Sequence, residues 1–126
     1  MTRALSLWAP VALSMAVIFH ASSGADVSLP EGFDDKPAHS LAYTVLGGLI
    51  VRALAGGLGA RVGASIALLG IVLATAYGIA LEILQLFVPG RYAEWADVGA
   101  NVIGASLGAL VCWLCGIIRP ASRHGL

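Results

Sequence analysis

Long apolar runs separated by short polar interruptions dominate this chain, and the run lengths set its architecture. The runs cover about residues 5–21, 38–54, 62–88 and 96–118. Each approaches or exceeds the roughly 20 residues that an α-helix, rising about 1.5 Å per residue, needs to cross about 30 Å of hydrocarbon. The second is the shortest, and His39 and Tyr43 place its start in the interface. The third is long enough to tilt or to emerge on one side. Between the runs lie helix-breaking segments. Residues 22–37 are polar and carry Pro30, Gly32 and Pro37, residues 56–61 form a glycine-rich turn, and Pro89-Gly90 is a sharp stop. The pattern predicts an all-α fold, a four-helix transmembrane bundle with residues 1–126 forming one unit.

Composition supports that class. The chain is 59% hydrophobic and only 11% charged, with a mean hydropathy of +0.90. A soluble domain carries about 25% charged residues, so this one would leave far too much apolar surface facing water. The formal net charge of zero hides an asymmetry along the chain. All seven acidic residues fall within Asp26–Asp35 and Glu82–Asp97, whereas Arg3, Arg52, Arg61, Arg119 and Arg123 lie elsewhere. Four spans bring both termini and the second-to-third turn to one side, which collects those five arginines. Lys and Arg concentrate on the cytoplasmic side of membrane proteins, so both termini are expected to be cytoplasmic and every acidic residue outside. Trp8, Tyr92, Trp95 and Trp113 lie near span ends, where amphipathic rings favour the headgroup level. Arg3, the apolar run to Phe19 and the small residues of 21–25 also fit a secretory signal peptide. Cleavage there would leave three spans in the same orientation. No basic patch with interleaved aromatics exists, which argues against a nucleic-acid partner.

Glu82 changes the picture most. It lies in an otherwise apolar run, where an ionised side chain costs roughly 2.5–3.5 kcal/mol on insertion scales. Such a residue is retained when it faces a partner or a watery cavity. Gln85 follows three positions later on a neighbouring part of the same face. These two could instead form a hydrogen-bond clamp between helices. A glutamine would serve there as well as a glutamate, so a role that depends on ionisation is favoured. Asp35, His39 and Tyr43, spaced by four, stack along one face of the second span. Asp35 falls in the first turn, where the helix dipole favours a carboxylate, and Pro37 suits an early helical position. Capping alone accounts for Asp35 but not for His39 or Tyr43.

After Pro89-Gly90 come Arg91, Glu94 and Asp97, with Asn101 one turn beyond Asp97. Arg91 offers a planar fork of donors suited to phosphate or carboxylate, and Lys36 can hold the same kind of group. Gly104 and Gly108 continue the Asp97–Asn101 line and read as packing surface, because small residues let helices approach closely. Cys112 and Cys115 have C-x-x-C spacing but no second pair to complete a zinc site, so they read as packing too. His39 with Glu82, Asp35 or Asp97 is a conceivable metal set. No paired-ligand spacing marks it, and neither a metal nor another cofactor is expected.

Together these segments carry a resemblance. Asp35-Lys36-x-x-His39, Glu82-x-x-Gln85, Gly90-Arg91 and Asp97-x-x-x-Asn101-x-x-Gly104-x-x-x-Gly108 occur in that order and resemble the VanZ-like family from about residue 35 to 110. That resemblance implies a small multi-pass protein of the bacterial cytoplasmic membrane, associated with low-level resistance to teicoplanin, a glycopeptide that binds cell-wall precursors. It does not supply a reaction.

Two functions follow as expectations. In the first, Lys36, Tyr43, Gln85, Arg91, Asp97 and Asn101, with Asp35, His39 and Glu82, line an outer-face pocket. The pocket would bind a membrane lipid or a lipid-linked envelope precursor by its headgroup. In the second, the protein is a hydrolase or transferase acting on such a lipid. His39 and Glu82 would then be an acid–base pair, with Asp35 orienting His39 and Arg91 or Lys36 stabilising developing negative charge. No serine, threonine or cysteine nucleophile is convincingly placed, which counts against a covalent route. A third, purely structural role would use the polar cluster only to fix helix registry. Oligomeric state is not legible from the chain.

Overall fold

A computed structural model describes residues 2–23, 36–57, 60–87 and 95–118, without the side chains of residues 22, 23, 36, 37 and 118. Those residues form four helices: α1 (Thr2–Ser23), α2 (Lys36–Ala55), α3 (Ala64–Gln85) and α4 (Trp95–Ile118). All four are long and apolar enough to cross a membrane, and no strand occurs among the described residues. The protein is an all-α, four-helix membrane bundle.

In α3 and α4, small residues and polar ones make up most of what faces inward. The buried residues of α3 are Gly70, Ala74, Gly78, Leu81, Glu82 and Gln85, while Leu68, Leu69, Val72, Leu73, Ile79, Ile83 and Leu84 point outward. On α4 the buried line runs Asp97, Asn101, Gly104, Ala105, Gly108, Ala109 and Cys112, with large aliphatic residues on the outer face. Lipid tails are as apolar as leucine, so burying leucine in a membrane gains little. Close packing of small residues and hydrogen bonds between polar ones hold such helices together.

The second helix is the hub. It packs on α1, α3 and, most extensively, α4, while among the described residues α1 touches α2 and, lightly, α3. Interhelical partners fix the directions. Ser40 Oγ donates to Ala100 O (3.3 Å) and Cys112 Sγ to Gly48 O (3.2 Å), so α2 and α4 run parallel. Arg3 Nη2 donates to Gly56 O (2.8 Å) and Tyr77 Oη to Met15 O (2.6 Å), which sets α1 antiparallel to α2 and parallel to α3. Alternation of direction therefore holds throughout. The start of α1 and the end of α4 lie beside the α2–α3 turn.

Backbone meets backbone along the α2–α4 seam. A Cβ added to Gly104 would collide with the Ser40 carbonyl oxygen, and one at Gly108 with the Thr44 carbonyl oxygen. A Cβ at Gly47, on the facing helix, would stand 2.7 Å from the Ala105 Cα. The sequence placed Gly104 and Gly108 in packing, and the structure supplies their partners on α2. Two hydroxyls within the apolar layer satisfy themselves on the preceding turn: Thr44 Oγ1 donates to Ser40 O and Ser106 Oγ to Val102 O, both at 2.7 Å.

Helix ends follow local chemistry. The Gly56 and Gly57 amides both bond to Arg52 O (3.0 and 2.9 Å), and Gly56 has φ +93°, a conformation that glycine adopts without steric penalty. The third helix is shorter than the 62–88 run in which it lies. Leu86 N–H bonds Ile83 O and Phe87 N–H bonds Leu84 O, both at 3.1 Å, so the helix tightens into an i→i−3 turn after Gln85. Pro89, four residues on, has no N–H to donate to the Gln85 carbonyl, so the helical ladder has no regular continuation there.

Candidate functional site

At the end where α2 and α4 begin and α3 finishes, three helices each deliver one potential ligand. A His39 ring nitrogen, a Glu82 carboxylate oxygen and an Asp97 carboxylate oxygen all lie within 4.8 Å of one another. The parallel seam between α2 and α4 sets His39 and Asp97 at one level, and the antiparallel return of α3 brings Glu82 up to meet them.

The surroundings are dry. Glu82 and Asp97 are each 7% exposed, Gln85 8%, and Tyr43 and Asn101 2%. His39 is half-buried and marks the open side of the cluster. His39, Glu82, Gln85 and Asp97 are each engaged by other groups. Tyr43 lies within electrostatic reach of both Tyr77 and Glu82.

Gly78 is the notch that lets the cluster close. A Cβ there would collide with Asn101 Nδ2 and stand 3.1 Å from Tyr43 Oη, so α3 presents bare backbone to both polar groups one turn below Glu82. Asn101 is among the largest fully buried side chains, and its Oδ1 has no hydrogen-bond partner among the described residues. Thr75 Oγ1, one turn below Gly78, is in the same situation. The sequence reading passed over Thr75. Its spacing of seven from Glu82 would have put it on the same helical face.

The structure thus brings together His39, Tyr43, Glu82, Gln85, Asp97 and Asn101 at one end of the bundle. Asp35 and Arg91 lie outside the described residues. Lys36 opens α2, and its side chain also lies outside them. Cys112 and Cys115 are unpaired thiols far along α4, with Cys112 buried against α2. At the opposite end a cleft of about 450 Å³ is lined by Arg61, Val62, Gly63, Trp113, Gly116 and Ile117. It holds one cationic side chain and no carboxylate, so it lacks the acid–base and ligating groups of the polar cluster.

These acid, imidazole and amide groups are carried by three of the four helices. The family model described as VanZ/LLP1 matches residues 7–116, and the chain belongs to that family. The matched region takes in most of α1 and α4, all of α2 and α3, and every residue of the cluster. No match was found among curated proteins or among solved structures.

Proposed function

We propose that this VanZ-family membrane protein binds the anionic headgroup of an envelope lipid or lipid-linked cell-wall precursor at the outer face of the bacterial cytoplasmic membrane. The observation that carries this reading is the meeting of His39, Glu82 and Asp97 within 4.8 Å, from three helices, beside buried Gln85 and Asn101. Polar and ionisable side chains inside a membrane are expensive and mark sites rather than filler. In this reading Arg91 and Lys36 hold the anionic group, and the amides and carboxylates orient it. The arginine-bearing end, with Arg3, Arg52 and Arg61, faces the cytoplasm, which puts the polar cluster outside. Sequestering or shielding a precursor headgroup at that face would connect the site to glycopeptide resistance.

The test uses the full chain in neutral-lipid nanodiscs, with binding of short-chain phosphatidylglycerol and phosphatidylcholine compared by native mass spectrometry. Preference for the anionic lipid that weakens in Glu82→Gln and Arg91→Ala supports the reading. Unchanged binding in folded forms of both variants removes it.

A second reading draws on the closeness of His39 to Glu82. These groups are near enough to act as an acid–base pair toward a lipid ester or phosphoester, with water as nucleophile. Release of a product from phosphatidylglycerol or a lipid-linked precursor, abolished in His39→Ala, supports the enzyme. Absence of turnover on these lipids counts against it.

A further inference from the structure

The two carboxylates and the imidazole at the polar end are arranged as a donor set. Their nearest ligating atoms share a sphere small enough for one ion. Metal–ligand bonds of about 2.0–2.2 Å hold neighbouring donors roughly 3–4 Å apart, so modest side-chain rotation closes the observed spacing onto a cation. Two buried carboxylates this close repel one another, and a divalent cation relieves that repulsion. Asn101 adds an independent observation. It lies one turn beyond Asp97 on the same face and 2% exposed, and its carbonyl Oδ1 has no hydrogen-bond partner among the described residues. A buried carbonyl oxygen in that state suits a ligand or a bound water at the end of the set. No spacing within one segment announces the donors, because they come from three different helices.

We propose that His39, Glu82 and Asp97 hold one divalent cation of the zinc or manganese class, which presents an open coordination position to a phosphate oxygen of the bound headgroup. One imidazole nitrogen with two carboxylate oxygens suits these ions better than the all-oxygen shells of calcium or magnesium. Three protein ligands leave a position for an exogenous oxygen, as in zinc sites that exchange their fourth ligand. This inference rests on the headgroup-binding reading and supplies its chemistry: the ion offsets the charge of the phosphate.

The full chain in nanodiscs, stripped with EDTA and desalted, is titrated with Mn²⁺ followed by electron paramagnetic resonance, and loaded with Zn²⁺ for elemental analysis. The expected result is one ion per chain, with affinity reduced at least about tenfold in His39→Ala and Asp97→Asn and unchanged in Arg61→Gln. No stoichiometric ion in the wild type, or equal affinity in the two site variants, overturns the proposal. A variant that fails to fold does not decide the matter, because the wild type gives its own readout. Its melting temperature should rise on adding Mn²⁺ and fall back with EDTA, and a melting temperature insensitive to both ions refutes the site. Phosphatidylglycerol binding is measured on the same stripped and loaded samples. Anionic preference that persists in stripped protein with no ion retained refutes the metal and leaves the headgroup reading standing. Ion binding without any gain in phosphatidylglycerol affinity refutes the bridge.

Discussion

The two ends of this bundle handle polar groups in opposite ways. At the arginine end, charge stays at the rim: Arg3 donates to Gly56 O and Arg52 Nη1 to Ser6 O (3.4 Å), both exposed bonds that tie α1 to the end of α2. At the other end the polar groups turn inward, and Glu82, Gln85, Asp97 and Asn101 are buried between helices. A membrane helix needs its charged residues only near its ends, where long side chains reach the interface. The arginine end does no more than this. The polar end places two carboxylates inside, a costly choice where amides would also hold helices together, and the proposed function draws on that difference.

The comparison can be broken most severely at the seam. Gly104→Val would drive a side chain into the Ser40 carbonyl and part α2 from α4 beside His39 and Asp97. Overpacking of this kind costs roughly 3 kcal/mol, since neither backbone can yield. Loss of the folded species in size-exclusion chromatography, together with loss of headgroup binding, is expected. Gly99→Val is the control: nothing lies within 4 Å of an added Cβ there, so binding and melting should not change.

Next in size is the effect of Glu82→Gln. If the acid serves binding and not stability, this variant should, in EDTA-stripped samples, melt at or above the wild-type temperature, because an ionisable group leaves a buried position. Its affinity for phosphatidylglycerol should fall about tenfold, or ~1.4 kcal/mol. A variant that melts much earlier and binds normally would make Glu82 structural and erase the contrast between the ends.

The smallest effect belongs to the rim. Arg3→Gln removes one exposed bond to Gly56 O and should lower stability by about 0.5–1 kcal/mol in chemical denaturation, with no effect on lipid affinity. A large loss of binding in this variant would show that the ends are not independent.

How much of this was legible in the chain depends on range. Span lengths, the glycine turn at residues 56–61 and the packing role of Gly104 and Gly108 were readable because they depend on hydropathy and helical period, both local properties. The end of α3 at Gln85 was missed by a few residues, because leucine, phenylalanine and valine at 86–88 extend the apolar run without extending the helix. His39, Tyr43, Glu82, Asp97 and Asn101 could be named as candidates from their cost in lipid. Their convergence was less accessible. It depends on the height and rotation of three helices, which the Gly47–Ala105 contact and the Gly78 notch determine together. Thr75 carries no such signal, because a hydroxyl in a span can bond the preceding turn, as Thr44 does, and so costs little in lipid.

The glycine seam also governs how such a molecule can move. Where two backbones touch at a glycine, no side-chain rotation at that point can let them slide, so α2 and α4 hold a fixed register and carry His39 and Asp97 as a pair. A shift of α3 alone would therefore change the reach of Glu82 to its two neighbours while leaving those neighbours matched to each other.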